Sequence, residues 1–219
     1  MLAAMFLLVT GSSGAGKSTV RRAVAPKLGD TVECVELGDV VEVPRVPTIA
    51  WRQRATEAVV RRALELQAEG RHLLLSGDPV AVGEVLAAPS ADQLDGLAAC
   101  LLDVNRAAQT ARLALRGDDP ALLVHHLAFA DWMREHARNL SHMPEVLITN
   151  GWEEMRWERW TGDEDQVGTW TIEVIDTSNL VVEQVATQVL GWCRRALAGQ
   201  RAGQHHASRG GRPVTRSSG

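Results

Sequence analysis

One segment near the start of the chain has the residue types and spacing that suit chemistry on phosphate groups. Residues 11–19 read GSSGAGKST and fit the pattern G-x-x-x-x-G-K-[ST]. Glycines in such a loop let the backbone curl until several N–H groups point at one anion. The lysine then reaches the β- and γ-phosphates of a nucleotide, and the hydroxyl that follows it ligates Mg²⁺. We therefore predict that this segment binds a nucleoside triphosphate together with Mg²⁺.

Each position of the loop has a predicted role. Lys17 is assigned to catalysis as well as binding, and Ser18 is assigned as a metal ligand. The predicted nucleotide contacts of the loop are Gly11, Ser13, Gly14, Ala15, Gly16, Lys17, Ser18 and Thr19.

The sequence on either side of the loop supports this interpretation over an ordinary Gly/Ser turn. Residues 5–10 are a continuous apolar run of strand length, which is typical of a buried parallel strand. Residues 17–28 predict a helix, with Pro26 tolerated only near its end. The order strand, loop, helix places the phosphates at a helix N-terminus, where the helix dipole favours anions.

Four aspartates stand at or just after the ends of further predicted strands. The strands are predicted at 31–37, 72–76, 97–104 and 170–175, and the aspartates are Asp39, Asp78, Asp103 and Asp176. In open parallel sheets, ligands bind outside the carboxyl ends of the strands. The four carboxylates are therefore candidates for the same site as the phosphate loop.

The elements that must position these side chains alternate along the chain. Helices are predicted at 48–69, 80–88, 107–116, 120–138 and from 176 to 197. Long crossovers between strands imply a parallel sheet with helices on both faces. The predicted fold class is therefore α/β, with three layers and a five-stranded parallel sheet.

Two segments interrupt this alternation. Residues 145–149 are short and apolar and predict a small strand. Residues 150–168 carry three tryptophans among six acids and two arginines, and are interpreted as an insertion folded over the surface. No internal repeat is evident.

Composition narrows the class of protein. An apolar content of 45% and a charged content of 23% are ordinary for a soluble globular chain. Cys34, Cys100 and Cys193 are far apart and form no C-x-x-C pair, which argues against a disulfide framework or zinc site and for the cytoplasm. No apolar run approaches the roughly 20 residues of a membrane span, so no membrane partner is expected.

Charge is distributed unevenly along the chain. The net charge is −4, but residues 199–219 carry four arginines and no acid. The remainder is thus acidic, and nucleic acid is not an expected partner of the folded body. The Gly/Ser/Arg-rich composition of 199–219 predicts a disordered basic tail, although its charge could attract nucleic acid.

Two motifs beyond the loop resemble the P-loop small-molecule and nucleotide kinases, which include adenylate-kinase-like enzymes, gluconate and shikimate kinases and chloramphenicol phosphotransferase. One motif is Leu102-Asp103-Val104 followed by the helix that contains RLALR at 112–116, and the other is VIDTS at 174–178. The resemblance covers about residues 5–197. It implies a P-loop NTPase fold with a helical lid at about 112–140, in which Arg112 stacks on adenine and Arg116 contacts the phosphates. The alternative for both arginines is a solvated helix face. It also implies that Asp176 lies beside the adenine edge, unless Asp176 only precedes a helix cap.

The sequence gives weaker signals for the residues that bind the acceptor than for those that bind the nucleotide. The related kinases with alcohol acceptors keep an acid after the second strand, so Asp39 is assigned as acceptor ligand and general base; the alternative is an aspartate that only satisfies loop N–H groups. Asp78 is assigned to Mg²⁺, with a turn residue before Pro79 as the alternative. Arg52 and Arg54, near the start of the long helix, are candidates for an anionic acceptor group; a helix-surface role is the alternative.

The prediction is therefore an ATP- and Mg²⁺-dependent kinase that transfers the γ-phosphate to a small-molecule acceptor, most simply a hydroxyl. Lys17, Asp39 and Arg116 carry the catalysis in this prediction. The alternatives are a nucleoside monophosphate kinase and a non-kinase nucleotide-dependent switch or regulatory ATPase. The predicted domains are a kinase domain at 1–198, with the Trp-rich insertion at 150–169, and the tail at 199–219. The sequence indicates neither the acceptor nor an oligomeric state.

Overall fold

Five parallel strands form the single sheet of the computed structural model, which describes residues 3–161 and 172–199. The strands are β1 Phe6–Thr10, β2 Val32–Val35, β3 His72–Ser76, β4 Leu97–Asp103 and β5 Glu173–Asp176. Their order across the sheet is β2-β3-β1-β4-β5, and every neighbouring pair is parallel. The predicted α/β fold class with a five-stranded parallel sheet is thereby confirmed.

Helices connect the strands and cover both faces of the sheet. Their bounds are α1 Lys17–Leu28, α2 Leu37–Val40, α3 Ile49–Ala68, α4 Val82–Ala87, α5 Arg106–Arg116, α6 Leu123–Arg138, α7 Glu145–Ile148, α8 Glu158–Thr161 and α9 Val182–Leu197. Two 3₁₀ turns, Ala91–Gln93 and Pro120–Leu122, precede β4 and α6. None of the described helices combines the length and apolar character that crossing a lipid bilayer requires.

Each face of the sheet has its own hydrophobic core. On one face, the side chains of Phe6 and Leu8 pack with residues of α3, α4, α6 and α8. On the other face, Leu7 and Val9 pack with residues of α1 and α9. Strand β1 is buried along its whole length because alternate side chains point to opposite faces. The central strand therefore fixes the position of the glycine-rich loop, residues 11–16, that follows it.

Local sequence accounts for where the main helices begin and end. The Thr48 hydroxyl accepts a hydrogen bond from Trp51 N and starts α3, as a helix N-cap does. The Asn105 side chain caps α5 in the same way through Ala108 N. Gly117, with φ of 83°, ends α5 in the left-handed conformation that glycine tolerates. The two helices that carry candidate site residues thus have short-range start or stop signals.

Three predicted elements differ from the structure. The predicted strand at 145–149 is wrong: Glu145–Ile148 form the helical turn α7, which contacts the start of α3 through a hydrogen bond from Gln53 Nε2 to Leu147 O. Strand β2 ends at Val35, so Asp39 lies inside α2 and does not follow a strand directly. The last helix begins at Val182 and not at 176.

The tryptophan-rich segment is partly a core element. Trp160 is buried among α4 and α6, with its indole Nε1 donating to Gly83 O at 2.9 Å, and it packs edge-on against His136. The Arg159 guanidinium donates to the carbonyl oxygens of Leu86, Ala88 and Pro89, around the end of α4. The interpretation of 150–168 as a surface insertion is therefore wrong for this part of it. Residues 162–168 and the first residues of the strand predicted at 170–175 lie outside the described residues, as does almost all of the predicted tail.

Candidate nucleotide-binding site

The loop between β1 and α1 has the backbone shape that phosphate binding needs. Gly14 and Gly16 have φ values of 83° and 97°, in the left-handed region that favours glycine. At Gly11 a side chain would collide with the neighbouring strand, since an added Cβ would lie 2.5 Å from the carbonyl oxygen of Leu102. These glycines are therefore required by conformation or by space.

Lys17 lies at the base of the loop with its ammonium group withdrawn from solvent. The residue is 6% exposed, and its Nζ donates to the carbonyl oxygen of Ser12 at 2.9 Å. Burial lowers the lysine pKa to about 8, against the opposing effect of the nearby Asp78 and Glu36 carboxylates. Because little water screens its charge, the buried ammonium group would attract an anionic ligand strongly.

A cavity of about 720 Å³ opens in front of the loop. Its floor is formed by residues 14–19, and one wall by Arg112 and Arg116 of α5. Next to Arg112, Thr177, Leu180 and the first turn of α9 complete a more apolar part of the lining. The cavity thus has a polar, N–H-rich end and an apolar end, which suits a nucleotide with its phosphates at the loop.

Arg112 and Arg116 lie on one face of α5, as their spacing predicts. Arg112 donates to the Thr177 Oγ1 at 2.9 Å, to the Thr177 carbonyl oxygen at 2.5 Å and to the Gly14 carbonyl oxygen at 3.3 Å. Arg116 pairs with Asp118 and is close enough to Lys17 to lower the lysine pKa. Both arginines line the cavity, so either can contact a ligand there.

The predicted carboxylates Asp78 and Asp39 lie near each other, and Asp78 is also close to Lys17. Asp78 accepts a hydrogen bond from Leu37 N at 2.7 Å through Oδ2, and burial raises its pKa. Asp39 accepts from Glu36 N at 2.8 Å and from the Arg21 guanidinium at 3.2 Å, again through one oxygen. The first of these Asp39 bonds belongs to a capping box that starts α2.

Sequence reasoning missed Glu36 at this site. An added Cβ at Gly77 would lie 2.4 Å from the Glu36 carboxyl carbon, so that carboxyl group rests directly on the backbone at the end of β3. It pairs with Arg21 at 3.1 Å and raises the pKa of Lys17. The available signal was a glutamate beside the predicted strand end, but the strand was predicted to continue to residue 37, which placed Glu36 inside it.

The residues present fit a magnesium ion chemically. Mg²⁺ prefers oxygen ligands and usually takes one or two from the protein, with the rest from water and phosphate. The Ser18 hydroxyl lines the cavity at the loop, and Asp78 keeps Oδ1 without a protein hydrogen bond among the described residues. This donor set suits the predicted assignment of Ser18 and Asp78.

The two arginines predicted to bind the acceptor, Arg52 and Arg54, have different surroundings. Arg52 forms an ion pair with the fully buried Glu84 carboxylate: its Nε lies 2.9 Å and its Nη2 lies 2.8 Å from Glu84 Oε1. Arg54 is exposed on another face of α3. The structure therefore does not bring Arg52 and Arg54 together as a pair.

The two aspartates at the ends of β4 and β5, Asp103 and Asp176, form hydrogen bonds with other side chains nearby. Asp176 accepts from Ser178 N at 2.8 Å, and hydrogen bonds from Ser178 lower its pKa. Asp103 holds Arg134 of α6 through both carboxylate oxygens, at 2.8 and 2.9 Å from the guanidinium Nε. In these positions they hold a loop and helix α6, and neither aspartate is part of the cavity wall.

Comparison with known proteins gives a likeness in structure only. No protein-family model and no curated protein matches the sequence. A gluconokinase from Sinorhizobium meliloti 1021 superposes with a TM-score of 0.50 at 18% identity, over 91% of this chain and 97% of that one. The protein APE1195 gives a TM-score of 0.50 at 15% identity, over 89% and 96% of the two chains.

A chain of the Pnkp1/Rnl/Hen1 RNA repair complex matches 62% of this protein, which spans 46% of that chain, with a TM-score of 0.48 and 15% identity. At such identities the likeness is one of fold. The chain therefore has the parallel α/β architecture that the gluconokinase also has, and its activity has to be argued from its own site.

Proposed function

We propose that this protein is a phosphotransferase that moves the γ-phosphate of MgATP to a hydroxyl group of a small molecule. The observation that carries the proposal is the arrangement at the head of α1: a glycine loop of the required shape, the buried Lys17 beneath it, and a cavity walled by Arg112 and Arg116. Phosphoryl transfer depends mainly on positioning and on neutralising charge, and this arrangement supplies both.

Each side chain has a defined task in the proposed reaction. Lys17 neutralises the charge of the terminal phosphates, and it does so strongly because it is removed from water. Arg116 adds positive charge from the lid side, while Arg112 borders the apolar half of the cavity where an adenine ring fits. Mg²⁺, when bound through Ser18 and Asp78, would neutralise further charge on the phosphates.

We assign Asp39 as the group that accepts the proton of the acceptor hydroxyl. Both of its protein hydrogen bonds use Oδ2, so Oδ1 has no protein partner among the described residues. Half of the side-chain surface remains exposed, which leaves room for an acceptor. A carboxylate within reach of a hydroxyl makes that hydroxyl a better nucleophile.

The charges on the acceptor side favour a hydroxyl acceptor over a nucleotide phosphate. The Arg52 guanidinium is already paired with the buried Glu84, and Arg54 is exposed on another helix face. The groups near Lys17 are instead the carboxylates Asp78 and Glu36, which would repel an anionic acceptor. A neutral polyhydroxylated compound fits these charges better than a nucleoside monophosphate does.

An acceptor screen tests the proposal. ADP release from MgATP is measured with the full chain against hydroxyl compounds, nucleosides and nucleoside monophosphates; gluconate joins the panel because one protein with this fold is a gluconokinase. We expect release that depends on a hydroxyl compound, and its loss in Lys17→Ala. Release with nucleoside monophosphates alone would reject the hydroxyl acceptor and the role of Asp39. Slow hydrolysis that no acceptor stimulates would favour a switch or regulatory ATPase instead.

A further inference from the structure

We propose that Gln109 is a positioning residue that holds the phosphate loop in its anion-binding shape from outside the cavity and links it to the lid helix α6. This inference rests on the proposed nucleotide site. Gln109 lies on α5, one turn before Arg112, and has no assigned role in the transfer itself.

The Gln109 amide is completely buried and directed at the loop. Its Nε2 lies 2.9 Å from the Ser13 carbonyl oxygen, 3.1 Å from the Ser12 Oγ and 3.3 Å from the His126 carbonyl oxygen. Two of these acceptors are carbonyl oxygens, so the opposite orientation of the amide would set oxygen against oxygen. The nitrogen therefore has to face the loop, and its two protons are shared among three acceptors.

The contact belongs to a series that follows the loop backbone. The Ser13 carbonyl oxygen accepts from Gln109, and the Gly14 carbonyl oxygen accepts from Arg112 at 3.3 Å. The Ala15 carbonyl oxygen lies 3.3 Å from the Thr177 hydroxyl, whose one proton it shares with the Asp103 carbonyl oxygen at 3.0 Å. Three successive carbonyl groups are thus held by side chains from outside the loop. Of these donors, Gln109 alone lies away from the cavity wall among the described residues.

Holding a carbonyl group fixes the N–H group next to it. In a planar trans peptide, the C=O of one residue and the N–H of the next point in opposite directions. When Gln109 binds the Ser13 carbonyl, the N–H of Gly14, which lines the cavity, is fixed on the other side. The loop is thereby preorganised, and less free energy is lost in ordering it when phosphate binds.

Close packing makes the loop sensitive to α5. A Cβ added at Gly14 would lie 3.4 Å from Leu113 and 3.5 Å from Gln109, so helix and loop are in direct contact. The same Nε2 that binds Ser13 also reaches α6 through His126. A shift of α6 would therefore alter the hydrogen bond that Gln109 donates to the Ser13 carbonyl oxygen.

The test is a comparison of ATP and adenosine affinity in the full chain with MgCl₂, by calorimetric titration. Gln109→Leu keeps the bulk of the side chain and removes its N–H donors. We expect it to weaken ATP binding about tenfold, the size of one or two lost hydrogen bonds, while adenosine affinity stays unchanged. Gln109→Asn, which keeps the amide on a stem one carbon shorter, is expected to act in the same direction and serves if the leucine variant does not fold.

The matched control is Gln53→Leu, because Gln53 is also fully buried but binds Leu147 O and Trp152 N on the α3 side. It should leave both affinities unchanged. Equal loss of ATP and adenosine affinity in the Gln109 variants, or no loss at all, would overturn the positioning role. If the wild-type chain binds neither ligand, the proposed function and this inference both fail. If it binds ATP but phosphorylates no acceptor, only the proposed transfer fails.

Discussion

At the scale of single residues, the site is organised by how charge is distributed around one buried lysine. Lys17 has lost most of its solvent, and burial lowers its pKa to about 8 although the Asp78 and Glu36 carboxylates lie nearby. Glu36 rests against Gly77, and Asp78 is half-buried. The neighbouring Asp39 keeps Oδ1 without a protein partner among the described residues, and half of its side-chain surface is exposed. We therefore propose Asp39, and not either of the other two, as the carboxylate that an acceptor reaches.

We expect Asp39→Asn to lower kcat for the hydroxyl acceptor about 100-fold, because loss of a general base usually costs that much or more. The KM for ATP should change little. An asparagine oxygen can still accept from Glu36 N, so the capping box at α2 is kept. Steady-state kinetics with the acceptor found in the screen would measure both constants.

The control for this variant is Glu42→Gln, an exposed acid just beyond α2. It should retain wild-type kinetics. If Asp39→Asn keeps full activity while Glu36→Gln loses it, the proton acceptor is Glu36 and the assignment of Asp39 is wrong.

At the scale of elements, the short helix α4 is fixed by aromatic side chains from two other helices. Gly83 N donates to the His136 imidazole Nε2 at 3.3 Å, and Gly83 O accepts from the Trp160 indole at 2.9 Å. The His136 ring also stacks on Trp132, with ring centroids 4.6 Å apart. Glycine is required at 83 because the Trp160 ring occupies the space where a side chain would be.

We expect Gly83→Ala to reduce the free energy of unfolding by about 1–3 kcal/mol, the usual cost of overpacking a core. The added Cβ would lie 2.6 Å from the Trp160 ring and 3.1 Å from His136, so at least one ring must shift. Urea unfolding followed by tryptophan fluorescence would measure the change.

Gly191→Ala in α9 is the matched control, since the nearest atom to its new Cβ is the Arg195 guanidinium at 3.6 Å, an ordinary contact. In a helix interior, alanine in place of glycine should raise stability by about 0.5–1 kcal/mol. Equal effects of the two substitutions would contradict the packing argument for Gly83.

At the scale of the whole molecule, both faces of the sheet bury polar groups beside their apolar cores. On the face covered by α1 and α9, one of them is Lys17, the first residue of α1. The second face, covered by α3, α4, α6 and α8, buries Gln53, Glu84 and His136. Burial lowers the His136 pKa to about 4, so the folded state disfavours the charged imidazolium. The second face should therefore make the fold sensitive to acid.

The expected pH dependence follows from the direction of that shift. An unfolded histidine has a pKa near 6.5 and takes up a proton as the pH falls, whereas folded His136 does not until about pH 4. Stability is thus intact above about pH 6.5 and is lost as the pH falls toward 4. We expect His136 to account for about 2 kcal/mol of lost unfolding free energy between pH 7 and pH 5.

Urea unfolding at these two pH values would measure this loss. His136→Phe, which keeps an aromatic ring, should be less stable at pH 7 but show a smaller pH dependence. His125→Gln, at an exposed position of α6, should keep the wild-type dependence. An unchanged pH dependence in His136→Phe would show that other groups, such as His72, whose pKa burial also lowers, cause the acid sensitivity.

The sequence by itself determined the fold class and the place of the phosphate loop. Both depend on patterns within a few residues: apolar runs such as residues 5–10, the glycine spacing of residues 11–19, and caps such as Thr48. Such signals act through local conformation, which a single sequence contains in full. They were also sufficient to place Arg112 and Arg116 on one face of a helix, because that placement needs only the helical repeat.

The tertiary structure alone decided which distant side chains meet. Arg52 pairs with Glu84, which lies 32 positions later in the chain. Gln109 binds the glycine-rich loop at Ser13, 96 positions earlier, and the Trp160 ring occupies the space next to Gly83. Residues 145–149 have the apolar character of a strand but form a helical turn because of what packs against them. Contacts of this kind depend on the register and packing of whole elements, which no local spacing encodes.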